Sequence, residues 1–446
     1  MKALIDRLNT ELLERHRFDT ELFERLTERQ RASGLLHGDR PITPFLRPYF
    51  LAESRYAKIR RAANLLSSAF EKLTRFALEN DDVLDQLGMS EKEAHWAKID
   101  PGYACVSVNS RLDTFLSPDG FAFLEYNGEN PAGIGDQTAL EQLFVEVPEV
   151  RMFLADNPHY FPQPQHRLVK ALDETYREFG GGKEKPSIAI VDWAGVATGS
   201  EFYILQEYFQ SLGYPAKICD PMELEFKSGA LHHEDFTIDI FFKRVIIHEF
   251  LDRFDEQHPL YHAMNAGAVC MANSFRSKIP HKKSSFSLLS DPKYSRLFTP
   301  AEIKVIEKCI PWTRTVIDGD AELGGGKVDL VDLVRRKKDQ LVLKPNDDYG
   351  GKGIALGWEC SESEWDDVIE TALSHPYVVQ RRVPVELTGI PMFSDGELRR
   401  ESLLVDFDPF LFRGEVEGGM VRLSRKSLVN ITQGGGETAL AILKDF

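Results

Sequence analysis

Few cysteines, no long apolar run and a shortage of positive charge each close off a class of protein. Cys105, Cys219, Cys270, Cys309 and Cys360 are odd in number, widely spaced and free of any Cys-x-x-Cys pair. That pattern offers neither a disulfide frame nor a zinc site, so each thiol is expected to be a buried core residue. No stretch approaches the roughly 20 apolar residues that cross a bilayer, and no basic-then-apolar leader opens the chain. A cytoplasmic protein without membrane contact is therefore expected. Lys and Arg number 54 against 70 Asp and Glu, a net charge of −16. Such a balance argues against a broad nucleic-acid footprint while leaving room for a local basic pocket. Two phosphate-binding fingerprints are also missing. Residues 192–199 lack Gly-x-Gly-x-x-Gly and read as an ordinary strand-to-helix connection, and Gly324-Gly325-Gly326-Lys327 has neither the spacing nor the following Ser/Thr of a Walker A loop.

What is present is globular: 446 residues with 42% hydrophobic content exceed one compact core, so about two to four domains are expected. Leu4, Leu8, Leu12, Leu22 and Leu26 recur at helical spacing over residues 1–30, predicting one amphipathic helix with a solvated charged face. After Pro41, Pro44 and Pro48 the pattern resumes over residues 52–78 through Ile59, Leu65, Leu66, Phe70, Leu73 and Phe76. Ser90-Glu91-Lys92-Glu93 has capping-box spacing and starts a third helix. Residues 1–98 thus read as a helical region without chemistry. A helix is predicted over 135–145. Strands at 188–191, 216–219, 238–242 and 268–271, with a helix at 199–213, give the βαβ alternation of a parallel sheet. Arg276, Lys278, Lys282 and Lys283 form a small basic cluster, expected to be a solvated helix start, with attraction of an anionic substrate as the alternative. Helices follow at 300–309 and 364–373, strands at 401–406, 410–413 and 420–424, and a mobile glycine turn at 430–436.

Two stretches carry candidate chemistry. Residues 108–133 read as a hairpin. Pro118 suits the first corner of a type I turn and Gly120 a left-handed position after it, predicting a three-residue loop with a bulge. In that register Ser117 faces Phe121, Phe115 faces Phe123, Asp113 faces Glu125 and Arg111 faces Asn127, all on one face. Two carboxylates and an amide suit Mg²⁺, and an arginine beside them suits a polyphosphate. The plainer reading is an exposed hairpin in which Arg111 pairs with Asp113 or Glu125. The second stretch starts a strand at Leu341 and runs through Lys344-Pro345-Asn346-Asp347-Asp348-Tyr349-Gly350-Gly351-Lys352-Gly353. A strand lysine followed by a glycine turn with a second lysine lets backbone amides and two ammonium groups hold phosphates. A plain hairpin with surface lysines is the alternative. A strand over 377–383, including Val379-Gln380, leads into a segment able to hydrogen-bond an adenine edge, and Arg422 lies on an alternating strand within reach of a phosphate or simply at the surface.

Together these motifs resemble the circularly permuted ATP-grasp family, which includes the synthetase domain of glutathionylspermidine synthase. Arg111-x-Asp113 followed by Glu125-x-Asn127 is similar to the family's phosphate- and Mg²⁺-binding residues; residues 342–353, followed by Val379-Gln380, look like its lysine strand, phosphate lid and adenine hinge. The hairpin precedes the lid, as in the permuted group. The resemblance covers about residues 100–446. It implies an α+β and α/β fold: a helical region (1–98), a metal-binding hairpin (99–150), a Rossmann-like pre-ATP-grasp parallel-sheet domain (151–295), and a lid with C-terminal core strands (296–446). It implies Asp113, Glu125 and Asn127 as Mg²⁺ ligands, and Arg111, Lys344, Lys352 and Arg422 on the phosphates of ATP, with Gly350 and Gly351 in the lid. Gln380, Arg381 and Val383 would hold the adenine and Glu386 the ribose. The activity implied is an ADP-forming ligation of a small carboxylate to an amine through an acyl-phosphate. A small-molecule kinase and a non-catalytic ATP-binding regulatory protein use the same residues. No segment matches a glutathione or spermidine pocket.

Overall fold

The computed structural model describes residues 1–323, 326–348, 350–394, 396–429, 431 and 434–445. Gly324 and Gly325 of the expected loop, Tyr349 of the expected lid, and Asn430, Thr432 and Gln433 of the expected glycine turn lie outside the described residues.

The first amphipathic stretch forms two helices, Lys2–His16 and Thr20–Ala32, rather than one. Asp19 divides them, because its carboxylate accepts the Leu22 amide at 2.9 Å and caps a new helix. Helix Glu53–Leu78 turns Tyr56, Ile59, Ala63, Leu66, Phe70, Leu73 and Ala77 inward. This stripe packs against strands Glu397–Phe412 and Glu415–Ser424 and helix Pro300–Cys309. Each large side chain buried there stabilises by about 1.5–3 kcal/mol. Ser90 caps helix Glu91–Ala97 with the reciprocal bonds of a capping box, at 3.2 and 2.8 Å. The helical region is not separate from the rest of the chain. Its strand Tyr49–Ala52 pairs in parallel with Leu440–Leu443, near the other end of the sequence.

A six-stranded antiparallel sheet carries the hairpin. Its order is Gly436–Thr438, Glu415–Ser424, Glu397–Phe412, Asn109–Ser117, Gly120–Asn127, with Leu387–Ser394 also paired to the long strand. The two short strands expected at 401–413 are one. A register shift between Pro409 and Leu411 accommodates the proline, which has no N–H for a regular ladder.

The hairpin reaches the expected pairing at its chemical end by another route. Ser117 pairs with Gly120, Leu116 with Phe121 and Phe115 with Ala122, so the turn has two residues and not three. The extra residue is in the strand instead: a shift at Asp113/Thr114 restores Asp113 opposite Glu125 and Arg111 opposite Asn127. Buried Asn273 clamps the open end. Its Oδ1 accepts the amides of Val108 (2.6 Å) and Asn109 (3.1 Å), and its Nδ2 donates to the carbonyls of Asn109 (2.6 Å) and Gly128 (2.7 Å).

Asn273 follows the last strand of a parallel sheet ordered Cys270–Ala272, Ile240–Lys243, Ile188–Val191, Ala216–Cys219. Strand order reverses about Ile188–Val191, which opens a crevice at the carboxyl edge where such sheets take ligands. A third sheet, antiparallel, runs Thr313–Thr315, Tyr377–Arg381, Leu341–Pro345, Ala355–Leu356 and is backed by helix Glu362–Ser374 through buried Trp365. The protein is thus a mixed α/β structure with parallel and antiparallel sheets, and among the described residues no helix is long and apolar enough to cross a membrane.

Candidate functional site

The hairpin presents Arg111, Asp113, Glu125 and Asn127 to a cleft of about 740 Å³. Arg111 donates to Asp113 through Nε (3.1 Å) and Nη2 (3.4 Å), the plainer of the two sequence readings, and Asn127 Nδ2 donates to the same carboxylate at 2.6 Å. Arg422 adds a third contact at 2.8 Å from the neighbouring part of the sheet. Burial pushes the Asp113 carboxyl up, but Arg111 and Arg422 outweigh it and hold the group well below the usual carboxylate range. Asp113 therefore stays ionised while opening on the cleft.

Arg422 was expected on phosphates. Its guanidinium is instead surrounded by carboxylates, lying 2.7 Å from Asp408 and in contact with Asp406 as well as Asp113. Asp406 and Asp408, two apart on the long strand, share its buried face; Asp408 also accepts the Thr114 amide at 3.0 Å. Oxygens of the three acids come within 4.8 Å of one another, and Arg422 stands among them where a cation would otherwise be needed. Nothing in the local pattern around 406 and 408 distinguishes these acids from surface residues; only the pairing of three distant strands does.

The facing wall belongs to the third sheet. Lys344 is buried, and its ammonium donates to Gln380 Oε1 at 2.8 Å. Gln380 in turn donates to Thr313 Oγ1 at 3.0 Å. Burial pulls Lys344 down to about 8. Arg381, Arg382, Val383, Pro384 and Val385 continue along the rim, with Arg382 stacked 3.9 Å over the Trp358 ring. Gly350 and Gly351 line the mouth; with Gly353 they have φ of 66°, 78° and 69°, a left-handed run that a side chain would oppose. Of the expected site residues, Arg111, Asp113, Glu125, Asn127, Lys344, Gly350, Gly351, Gln380, Arg381, Val383 and Arg422 line one cleft. Lys352 is exposed outside that lining, and Glu386 is turned to Arg55 at 2.8 Å.

The basic cluster after Asn273 is not a solvated helix start. Lys278, Lys282 and Lys283 are buried, because each meets a carboxylate that cancels its charge. Lys278 contacts Glu129 (2.7 Å) and Asp347 (2.6 Å), Lys282 contacts Glu93 (3.0 Å) and Asp347 (2.7 Å), and Lys283 contacts Glu125 (3.2 Å). Lys283 also donates to the Asp348 carbonyl at 2.7 Å. Asp347 is held far below the usual range: burial opposes this, and Lys278 and Lys282 overcome it. The cluster therefore sits at the root of the glycine loop. Its legible signal was the concentration of lysines in an acidic chain; its partners lie far away in sequence. Cys105 is half-buried with Arg413 Nη1 3.6 Å from its sulfur, and burial pushes its thiol up to about 12.

An antiparallel sheet bearing acids and a small antiparallel sheet bearing a buried lysine close on one cleft beside a parallel sheet, a mixed α/β arrangement with likenesses among solved proteins. The resemblance extends to a particular solved structure: a glutathione synthetase-like effector from Globodera pallida matches over 97% of this chain and 97% of its own, with a TM-score of 0.60 and 11% identity. At that identity the likeness is one of fold. A putative gamma-glutamylcysteine synthetase from Methylobacillus flagellatus KT aligns over 81% of this chain and 83% of its own, with a TM-score of 0.40 and 12% identity. In sequence, a putative glutamate–cysteine ligase 2-2 from Frankia casuarinae is 33% identical over 104 residues, 22% of this chain. The matched region spans 12% of that relative's length. No family model matches the chain.

Proposed function

We propose that the protein is an ATP-dependent, ADP-forming carboxylate–amine ligase of the circularly permuted ATP-grasp type, acting on small molecules. The observation that carries the reading is the meeting of two walls in one cleft: Arg111, Asp113, Glu125 and Asn127 on one sheet, Lys344 and Gln380 on another, with Gly350 and Gly351 at the mouth. The names of the sequence relative and the structural neighbour, a glutamate–cysteine ligase and a glutathione synthetase-like effector, point the same way.

The donor set fits Mg²⁺. Asp113 and Glu125 supply carboxylate oxygens, and Asn127, whose NH₂ is spent on Asp113, keeps its amide oxygen for a cation. Bound there, the ion would neutralise phosphate charge. Lys344 and Lys283 supply positive charge for the polyphosphate, and Arg111 adds a third cation. Arg422, committed to three carboxylates, acts through Asp113 by fixing its orientation. The rim from Gln380 to Val383 holds the adenine. Glycines 350, 351 and 353 let the loop close and exclude water, which protects an acyl-phosphate until an amine displaces the phosphate.

A screen of small acids with Mg-ATP and hydroxylamine tests the reading. A ligase yields a hydroxamate together with ADP for at least one acid. A stable phosphorylated product without hydroxamate would make the protein a small-molecule kinase, and an absence of Mg-ATP binding would end the proposal.

A further inference from the structure

Lys344 differs from the other buried lysines around the cleft in what holds it. Lys278, Lys282 and Lys283 each meet a carboxylate. Among the described residues no carboxylate lies at ion-pair distance from the Lys344 ammonium, which donates instead to the neutral Gln380 amide at 2.8 Å. Burial works against its charge, Glu125, Asp113 and Asp406 on the same cleft favour it, and Lys283 opposes it.

The strands dictate this arrangement. Strand Tyr377–Arg381 lies between Thr313–Thr315 and Leu341–Pro345, and Gln380 is the register partner of Thr313 on one side and of Val342 on the other. Side chains alternate along a strand, so Thr313, Gln380, Val342 and Lys344, two residues beyond Val342, share one face. Lys344 is then the diagonal neighbour of Gln380, within reach of a long side chain. Val342, Lys344 and Gln380 line the cleft, while Thr313 is fully buried behind them.

A side-chain amide can turn either end to a neighbour, and here the surrounding bonds decide which. The Thr313 hydroxyl donates to the Pro311 carbonyl at 2.8 Å, so its oxygen is left as an acceptor and takes Gln380 Nε2 at 3.0 Å. The same nitrogen donates to the Leu124 carbonyl of the hairpin at 3.4 Å. Oε1 is thereby turned to Lys344. Reversed, the amide would set its NH₂ against an ammonium and its oxygen against an oxygen whose proton is already spent. The hydrogen bonds therefore run in one sense, from Lys344 through Gln380 and Thr313 to Pro311.

A lysine stem is flexible, and Glu125 is the strongest attraction for this one. Pairing there would cancel the charge and occupy a carboxylate suited to the metal. A neutral amide anchors the ammonium and leaves its charge uncompensated. We propose that Thr313 and Gln380 are positioning residues that hold the Lys344 ammonium as a preset, uncompensated charge for the phosphates of the nucleotide. The Gln380 side chain then serves the phosphate end of the cleft, and the rim meets the adenine without it. The inference rests on the ligase reading for the identity of the anion; the anchoring does not depend on it.

Thr313→Val keeps the shape of the side chain and removes the acceptor, whereas Thr313→Ser keeps the acceptor. The full chain is titrated calorimetrically with Mg-ATP at a pH well below the Lys344 value of about 8. Affinity should fall about fivefold in Thr313→Val, the worth of one hydrogen bond, and recover in Thr313→Ser. The ammonium itself is read by isotope-edited NMR of the lysine side chains, its resonance identified by loss in Lys344→Met. That resonance should shift or broaden in Thr313→Val and return in Thr313→Ser, which a general loss of stability would not produce. Gln380→Met, which removes the acceptor directly, repeats both readings should Thr313→Val fail to fold. An unmoved resonance overturns the anchoring, and a moved resonance with unchanged Mg-ATP affinity overturns its service to the phosphates. If the unsubstituted chain binds no Mg-ATP, the ligase reading falls and the resonance alone decides whether Thr313 anchors Lys344.

Discussion

The ammonium of Lys283 stands 3.2 Å from a carboxylate oxygen of Glu125 and donates to the backbone carbonyl of Asp348 at 2.7 Å. One buried cation therefore ties the hairpin of the large sheet to the root of the glycine loop. On the proposed ligase reading, a polyphosphate bound beside Glu125 and Asp348 would meet this charge together with that of Lys344.

Replacing Lys283 by methionine keeps most of its apolar volume and removes that charge. Affinity for Mg-ATP is expected to fall about tenfold or more, the 1.5–3 kcal/mol of a lost charged hydrogen bond. Titration calorimetry measures it. An unchanged affinity with a lowered melting temperature would assign Lys283 a purely structural tie.

Lys344 gives the pH dependence. Burial lowers it to about 8, so near that pH the empty protein begins to lose the charge that a phosphate needs. Nucleotide affinity is expected to decline as pH rises through 8, with proton uptake on binding around that value. The effect on stability has the opposite sense: the unfolded chain, with a lysine near its usual 10.5, binds more protons between the two values, so this residue makes stability rise with pH across that window. In Lys344→Met both slopes should flatten. Persistence of the binding slope in that variant would assign it to another group.

How far the sequence revealed the site depends on where the partners lie. The facing of Asp113 with Glu125 and of Arg111 with Asn127 was legible because strand alternation acts over a few residues. The turn is one residue shorter than its Pro118 and Gly120 predict, and the shift at Asp113/Thr114 compensates for it. The lysines at 278, 282 and 283 looked solvated because a run of charges ordinarily is. What buries them is Glu93, Glu125, Glu129 and Asp347, contributed by three other parts of the chain, which no local pattern reports. Residues 1–98 likewise looked free of chemistry, yet Glu93 and the Leu87 carbonyl help to hold the glycine loop.

Asn346 makes that hold testable. Its amide donates to Pro376 O (2.9 Å), its carbonyl accepts the Lys283 amide (3.0 Å), and its side chain joins the Ser284 amide to the Leu87 carbonyl, both at 2.8 Å. Asn346→Ala strands the buried Ser284 amide, while the Leu87 carbonyl keeps the Ser284 hydroxyl at 2.8 Å. It is expected to cost about 1–3 kcal/mol, read from chemical denaturation. Gly88→Ala should weaken the same joint from the other side, since Gly88 has φ of 73° and an added Cβ would lie 2.8 Å from Asn346 Nδ2. Loss of stability in neither variant would show that the loop root is not anchored there.

Asp113 and Glu125 are expected to separate metal binding from folding. In the cluster of Asp113, Asp406 and Asp408 with Arg111 and Arg422, three carboxylates face two guanidiniums. Asp113→Asn brings this count to balance, and both arginines keep Asp408 as a partner, so the loss of stability should stay within about 1–2 kcal/mol. Its Mg²⁺-dependent gain in nucleotide affinity should vanish. Glu125→Gln frees Lys283 from its carboxylate, which strengthens the attraction for phosphate while removing a metal oxygen. ATP without Mg²⁺ should therefore bind this variant at least as tightly as it binds the unsubstituted chain, and added Mg²⁺ should no longer help. Calorimetric titrations with and without Mg²⁺ distinguish these outcomes. A full Mg²⁺ effect in both variants would move the metal away from the hairpin and leave Asp113 as a partner of arginines alone.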